Sequence, residues 1–160
     1  MTLLTIRPAN VNDVEQIMQF VIELAIYEKE EAAVVATPEH VRHALFCDQP
    51  KAHCLIAELD GKPVGFAVYF FSFSTWLGQH GLFLEDLYVS PESRGAGAGK
   101  ALLKELAKIA VAQDLGRFEW SVLDWNEPSI QFYKAMGAVA KEGWTDYRLT
   151  GDALTSFANG

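Results

Sequence analysis

Arg94-Gly95-Ala96-Gly97-Ala98-Gly99-Lys100 follows the apolar run Leu82-Phe83-Leu84-Glu85-Asp86-Leu87-Tyr88-Val89 and opens the helix-like segment Ala101 to Ala112. A strand, a glycine-rich turn and a helix in that order make an anion cradle. Backbone N–H groups are left free at the helix start, and the helix dipole favours negative charge there. The glycines let backbone approach a diphosphate closely, because no Cβ intervenes.

Two phosphate loops fail against this stretch. A P-loop requires Gly-x-x-x-x-Gly-Lys-Ser/Thr; here Arg94 stands first and Ala101 last, leaving no hydroxyl for Mg²⁺. A dinucleotide fingerprint requires Gly-x-Gly-x-x-Gly. Counted from Gly95 its third glycine falls on Lys100, and counted from Gly97 on Leu102. What remains is Arg-x-x-Gly-x-Gly, from Arg94 to Gly99.

Working outward, Leu3 to Arg7 reads as a strand ended by Pro8, and Asn10 with Asp13 as a capping box. Val14, Ile17, Met18, Val21, Leu24 and Ala25 recur at helical spacing. Thr37-Pro38-Glu39 starts a short helix to about Cys47. Ala52–Glu58 and Lys62–Ser72 are strands around Asp60-Gly61, a hairpin signal. Gly78 to Gly81 reads as a turn before the central strand Leu82–Val89. Leu102, Leu103, Leu106, Ile109 and Ala110 form the apolar stripe of the next helix. Phe118–Leu123 reads as a strand, Asn126–Met136 as a helix stopped by Gly137, and Trp144–Leu149 as a last strand before a short tail. The expectation is one domain over residues 1–160: a mixed α/β fold with a mostly antiparallel sheet, one parallel strand–helix–strand crossover and helices on both faces.

Composition narrows the function. Half of the 160 residues are hydrophobic and 12% aromatic, which argues against disorder. The formal charge of −8 argues against nucleic acid as the main partner and is compatible with a cationic substrate, as with ordinary solubility. No apolar run reaches the ~18 residues of a membrane span, and no basic region with an apolar core opens the chain. The expectation is a cytoplasmic protein without a membrane partner. Cys47 and Cys54 are then expected to be reduced. His40, His43, Cys47 and His53 lack zinc-type pairing, so no metal is expected.

The pattern Arg94–Gly99, with Tyr27-Glu28, Leu84-Glu85-Asp86, Trp125-Asn126-Glu127-Pro128-Ser129 and Phe132-Tyr133, resembles the GCN5-related N-acetyltransferases. Within them it is similar to the spermidine/spermine (diamine) and thialysine acetyltransferase branch. The similarity runs from about Ile6 to about Leu149. It implies an acyl-CoA acyltransferase fold, acetyl-CoA as co-substrate, a small amine as acceptor and a homodimer.

Acyl transfer to an amine needs the thioester held, its carbonyl oxygen stabilised, the amine deprotonated and the thiolate protonated. An amine of pKa about 10.4 is neutral in only about one molecule in 2,500 at pH 7, so losing that proton costs roughly 4–5 kcal/mol and calls for a base. Glu85 and Asp86 are adjacent on a strand and point to opposite faces unless a bulge intervenes. The strand alone leaves a catalytic carboxylate and a salt bridge equally open; the resemblance implies that Glu85 accepts the amine's proton through water. It implies, too, that backbone groups of Leu87, Tyr88 and Val89 hold the pantetheine arm and polarise the thioester, where the strand alone reads as core. By the same resemblance the loop Arg94, Gly95, Ala96, Gly97, Ala98, Gly99 and Lys100 binds the diphosphate, with Asn126 and Ser129 also on the coenzyme. Asn126 reads equally as a helix N-cap. Tyr133 is implied as the general acid, against the alternative of a core tyrosine bonded at its edge. Tyr27, Glu28 and Trp76 are implied to line the amine channel, although Glu28-Lys29-Glu30-Glu31 also reads as a solvated helix end. Polyamine-specific relatives carry an acid shortly before that tryptophan, whereas this chain has Ser74-Thr75, which leaves room for a shorter amine. A non-catalytic acetyl-CoA sensor on the same fold, or transfer to protein lysine, are the alternative readings.

Overall fold

The computed structural model describes residues 1–160, which resolve into two compact units, 1–123 and 124–160. The first holds a five-stranded sheet in sequential order. Its strands are β1 (Leu4–Pro8), β2 (His53–Leu59), β3 (Lys62–Ser74), β4 (Gln79–Val89) and β5 (Phe118–Trp120). β1 to β4 pair antiparallel, and β5 lies parallel to β4 after the crossover through helix α3 (Ala98–Ala112). The remaining helices of this unit are α1 (Val14–Tyr27) and α2 (Pro38–Phe46).

Local chemistry sets these boundaries. The Asn10 side chain accepts from Asn12 N–H at 2.9 Å, and Asp13 Oδ2 accepts from Asn10 N–H at 2.8 Å. Asp13 is also held by both terminal nitrogens of Arg7, at 2.8 and 2.9 Å, while Arg7 Nε reaches Glu58 at 2.7 Å. Thr37 and Pro38 cap and start α2. Asp60 and Gly61, at φ +50° and +79°, close the β2–β3 hairpin, the two left-handed residues that a two-residue turn demands.

β3 is buried along most of its middle, as a strand covered on both faces must be. On one face Ile17 and Phe20 of α1 meet Ile56, Phe66 and Tyr88, with the Phe20 ring 5.4 Å from Phe66 and 6.0 Å from Tyr88. On the other, Leu102, Leu103 and Leu106 of α3 are almost fully buried.

Several boundaries differ from the sequence reading. β4 begins at Gln79, and the turn is residues 75–78, with Gly78 at φ +64°. Gly81 is a close-packing glycine instead: a Cβ there would lie 2.7 Å from Ser72 Oγ. β5 stops at Trp120, short of Leu123. α3 starts at Ala98, so Ala98, Gly99 and Lys100 form its first turn.

The second unit contains α4 (Glu127–Ala135), ended by Gly137 at φ +93°, and α5 (Gly151–Asn159). The strand expected at Trp144–Leu149 is absent: the stretch has no regular structure, and Tyr147 is 95% exposed. A strand exists only where a neighbour takes up its N–H and C=O groups, and apolar alternation specifies faces without supplying that neighbour. The expected tail is helix α5.

Candidate active site

β4 carries the centre of the site, and its pairing explains why. Tyr69 pairs with Leu84 and Val68 with Asp86, so Glu85 is an extra residue at a bulge. Consecutive residues of β3 face opposite sides, and therefore Leu84 and Asp86 do as well. Asp86 joins the row of Val68 and Cys54, on the α1 face and two residues from core Tyr88. Glu85 remains exposed. The bulge thus removes the simple alternation expected for the Glu85-Asp86 pair.

The charges acting on Asp86 are acidic. Burial first, then Glu85 and Glu28, push its carboxyl up to about 6. Glu28, just past the end of α1, is itself pushed up, by burial and then by Glu30. Three carboxylates from β4 and the α1 terminus therefore share one electrostatic environment, with no cation of the chain among the charges that shift Asp86. Buried Cys54 sits beside it, its thiol pushed up to about 12 chiefly by burial.

Beyond the bulge, β4 loses a neighbour. β5 pairs with Leu82, Phe83 and Leu84 only, so Leu87, Tyr88 and Val89 lie past the end of the parallel ladder. The strand leads through a short helical turn (Pro91–Ser93) to Arg94. Gly95 and Gly97 stand at φ +92° and +86°, with open space where a Cβ would be. Gly97 is the N-cap of α3 and offers no side-chain acceptor. The ladder begins with Ala101 N–H on the Gly97 carbonyl at 2.9 Å, so the N–H groups of Ala98, Gly99 and Lys100 precede it. This is a backbone-lined anion cradle, open to a phosphate group.

Arg94 links cradle and carboxylates. Its Nε donates to the Val89 carbonyl at 3.1 Å, and its guanidinium lies 5.3 Å from the Tyr27 ring centre and 5.9 Å from that of Tyr88. Tyr27, Glu28, Glu85, Tyr88, Val89 and the loop from Arg94 therefore converge. Trp76 does not join them: it sits in the β3–β4 turn, 81% exposed, with Gln79 to Glu85 of strand, roughly 20 Å, between that turn and the bulge. Asp86 and the stacking of Arg94 are site features that the sequence reading did not assign. A bulge's signal lies in pairing, and the pair Tyr27/Arg94 is far apart along the chain.

In the second unit, Asn126 is buried at 8% exposure and its Oδ1 accepts from Ser129 N–H at 3.4 Å, so it caps α4. Tyr133 lies half-buried in the last turn of that helix, its ring 5.8 Å from Phe132. No three His, Cys, Asp or Glu side chains are placed so that they could hold a metal ion together, and no helix is long and apolar enough to cross a membrane.

Sheet order, the strand–loop–helix cradle and the bulged central strand define an acetyltransferase of the GNAT class. Residues 20–138 match the acetyltransferase (GNAT) family, and the chain belongs to it. It is 38% identical to the thialysine N-epsilon-acetyltransferase of Bos taurus and 37% identical to that of Sus scrofa, each over 99% of both chains. Among solved structures, an integron cassette protein of V. cholerae superposes with a TM-score of 0.81 at 27% identity, over 98% of both chains.

Proposed function

We propose that this chain transfers the acetyl group of acetyl-CoA to a primary amine of a small cationic molecule: a lysine-like amine such as thialysine, or a short diamine. The observation that carries this reading is the convergence at one end of β4 of the glycine cradle with the acidic, tyrosine-walled group Tyr27, Glu28, Glu85 and Asp86. One half suits a diphosphate, the other an ammonium.

In this reading the backbone of Gly95 to Lys100 takes the diphosphate, and Asn126 and Ser129 meet the coenzyme from the start of α4. Main-chain groups of Leu87, Tyr88 and Val89 hold the pantetheine and polarise the thioester carbonyl, an oxyanion-type role. Glu85, exposed at the bulge, accepts the ammonium's proton through water. The amine nitrogen then bonds to the carbonyl carbon, the C–S bond breaks, Tyr133 gives its hydroxyl proton to the departing thiolate, and the surplus proton of the acylated nitrogen returns through water to the tyrosinate. Tyr27 and Glu28 hold the remaining charge of the substrate. The working form in this reading is a cytoplasmic homodimer of one catalytic domain.

Isotope-labelled acetyl transfer across thialysine, lysine, short diamines, spermidine and spermine tests it. Transfer to thialysine or a short diamine at least as efficient as to spermine is expected. Coenzyme A binding without transfer to any amine would leave a sensor domain instead.

A further inference from the structure

The loop's first residue turns away from its own loop. Arg94 has extended backbone, φ −68° and ψ 146°, and its side chain folds back across the end of β4. Nε is tied to the Val89 carbonyl, and one guanidinium lies against two rings of unequal exposure. Tyr88 belongs to the core and is 5% exposed, whereas Tyr27 ends α1 and is 38% exposed. Glu23 precedes Tyr27 by one helical turn and so shares its face. Its buried Oε2 has no hydrogen-bond partner. The Tyr88 hydroxyl is pushed up first by burial, then by Glu23 and Glu92, and pulled down by Arg94, so anionic and cationic side chains both act on that ring.

A guanidinium presents its face to an aromatic ring and keeps its edge N–H groups for an anion. In Arg94 only Nε is committed to a protein acceptor. The adjoining residues are the open glycine cradle. Building on the reading above, we propose that Arg94 is a positioning residue through which acyl-CoA binding orders the amine wall: the diphosphate fixes the guanidinium, and the guanidinium fixes Tyr27. The expected sign is positive, since a ring already held costs less order to engage. The expected size is about 3- to 30-fold in amine affinity, the span of a cation–π contact from exposed to desolvated.

Calorimetry of thialysine binding, with and without saturating coenzyme A, tests this without turnover, because coenzyme A carries no acetyl group. Wild type should bind thialysine about 3- to 30-fold more tightly with coenzyme A present. The enhancement should vanish in Arg94→Ala and in Tyr27→Leu, and the double variant should lose no more than either single one. Arg94→Lys keeps a charge for the diphosphate without the planar stacking face, so it should retain most coenzyme A affinity and lose the enhancement. An enhancement that survives in Arg94→Lys and Arg94→Ala overturns the proposal. Wild-type protein that binds coenzyme A, and thialysine equally well with or without it, overturns the coupling and leaves the acetyltransferase reading standing. Failure to bind coenzyme A removes that reading and the coupling with it.

Discussion

At the scale of single residues, Asp13 and Asp86 shift in opposite directions because of what surrounds them. Asp13 is held below the usual carboxylate range, first by its hydrogen bonds from Arg7, and Arg7 is held above its own. Asp86 meets only burial and other acids, and stands at about 6. A carboxyl raised on folding binds its proton more tightly in the native state, so ∂ΔG/∂pH is negative between the unfolded value and the folded one. Asp86 therefore lowers stability as pH rises from about 4 to about 6. Asp13 works in the other window: its contribution is complete above its unfolded value and is lost as pH falls through its depressed folded one. Asp86→Asn should flatten the upper window and raise stability at pH 7 by about 1–3 kcal/mol. Urea unfolding from pH 4 to 7 checks it; an unchanged pH slope in the variant would show that Asp86 is not the titrating group. Tyr133→Phe removes one hydroxyl and should lower kcat by roughly 10²-fold or more, with coenzyme A affinity nearly unchanged. A kcat within a few-fold of wild type, from steady-state kinetics, would leave Tyr133 a packing residue.

At the scale of elements, the start of α3 separates backbone strain from ligand space. Gly97 adopts φ +86°, so any side chain there is strained even though nothing crowds its Cβ. Gly99 lies within the helix, and a Cβ there meets Val89 Cγ2 at 3.8 Å, an ordinary contact. Gly97→Ala should therefore cost about 1–2 kcal/mol of stability and weaken coenzyme A binding. Gly99→Ala should leave stability unchanged or slightly raised, as alanine favours helix over glycine, and weaken coenzyme A binding alone. Melting curves with coenzyme A calorimetry on both variants decide it. Equal coenzyme A affinity in wild type and Gly99→Ala would mean that the diphosphate does not approach the first turn of α3. The bulge in β4 is the companion device: it exposes Glu85 while turning Asp86 to the α1 face.

At the scale of the whole molecule, residues 124–160 have little core of their own. Asn126 is their one buried residue, and Val139, Trp144, Tyr147 and Phe157 are each more than two-thirds exposed. Exposed apolar groups on one segment are available to an interaction surface, and the homodimer proposed above would cover them. The expected outcome is a homodimer at micromolar concentration by light scattering. Replacing Val139, Tyr147 and Phe157 together by serine should shift the population toward monomer. A wild-type monomer at that concentration would refute the dimer, and a dimer unaffected by the triple change would move its interface elsewhere. The net charge of −8 would add a long-range pull on the cationic substrate proposed above, which high salt should weaken.

The sequence by itself determined the order of elements in the first unit, the hairpin at Asp60-Gly61, the apolar stripe of α3 and the anion cradle at its start. Each of these is a local property: a period, a cap, a left-handed glycine. Tyr27, Glu28, Glu85 and Tyr133 were legible as candidates because their motif lies along the chain. Only the tertiary structure decided that Asp86 faces α1, since a bulge is a relation between two strands and leaves no mark in one. The tertiary structure alone turned Arg94 from the loop onto Tyr27, because a stack depends on where β4 ends beside α1. It likewise left Trp144 to Leu149 without a strand: apolar alternation describes what a segment could bury, and pairing requires a neighbour that no local pattern supplies.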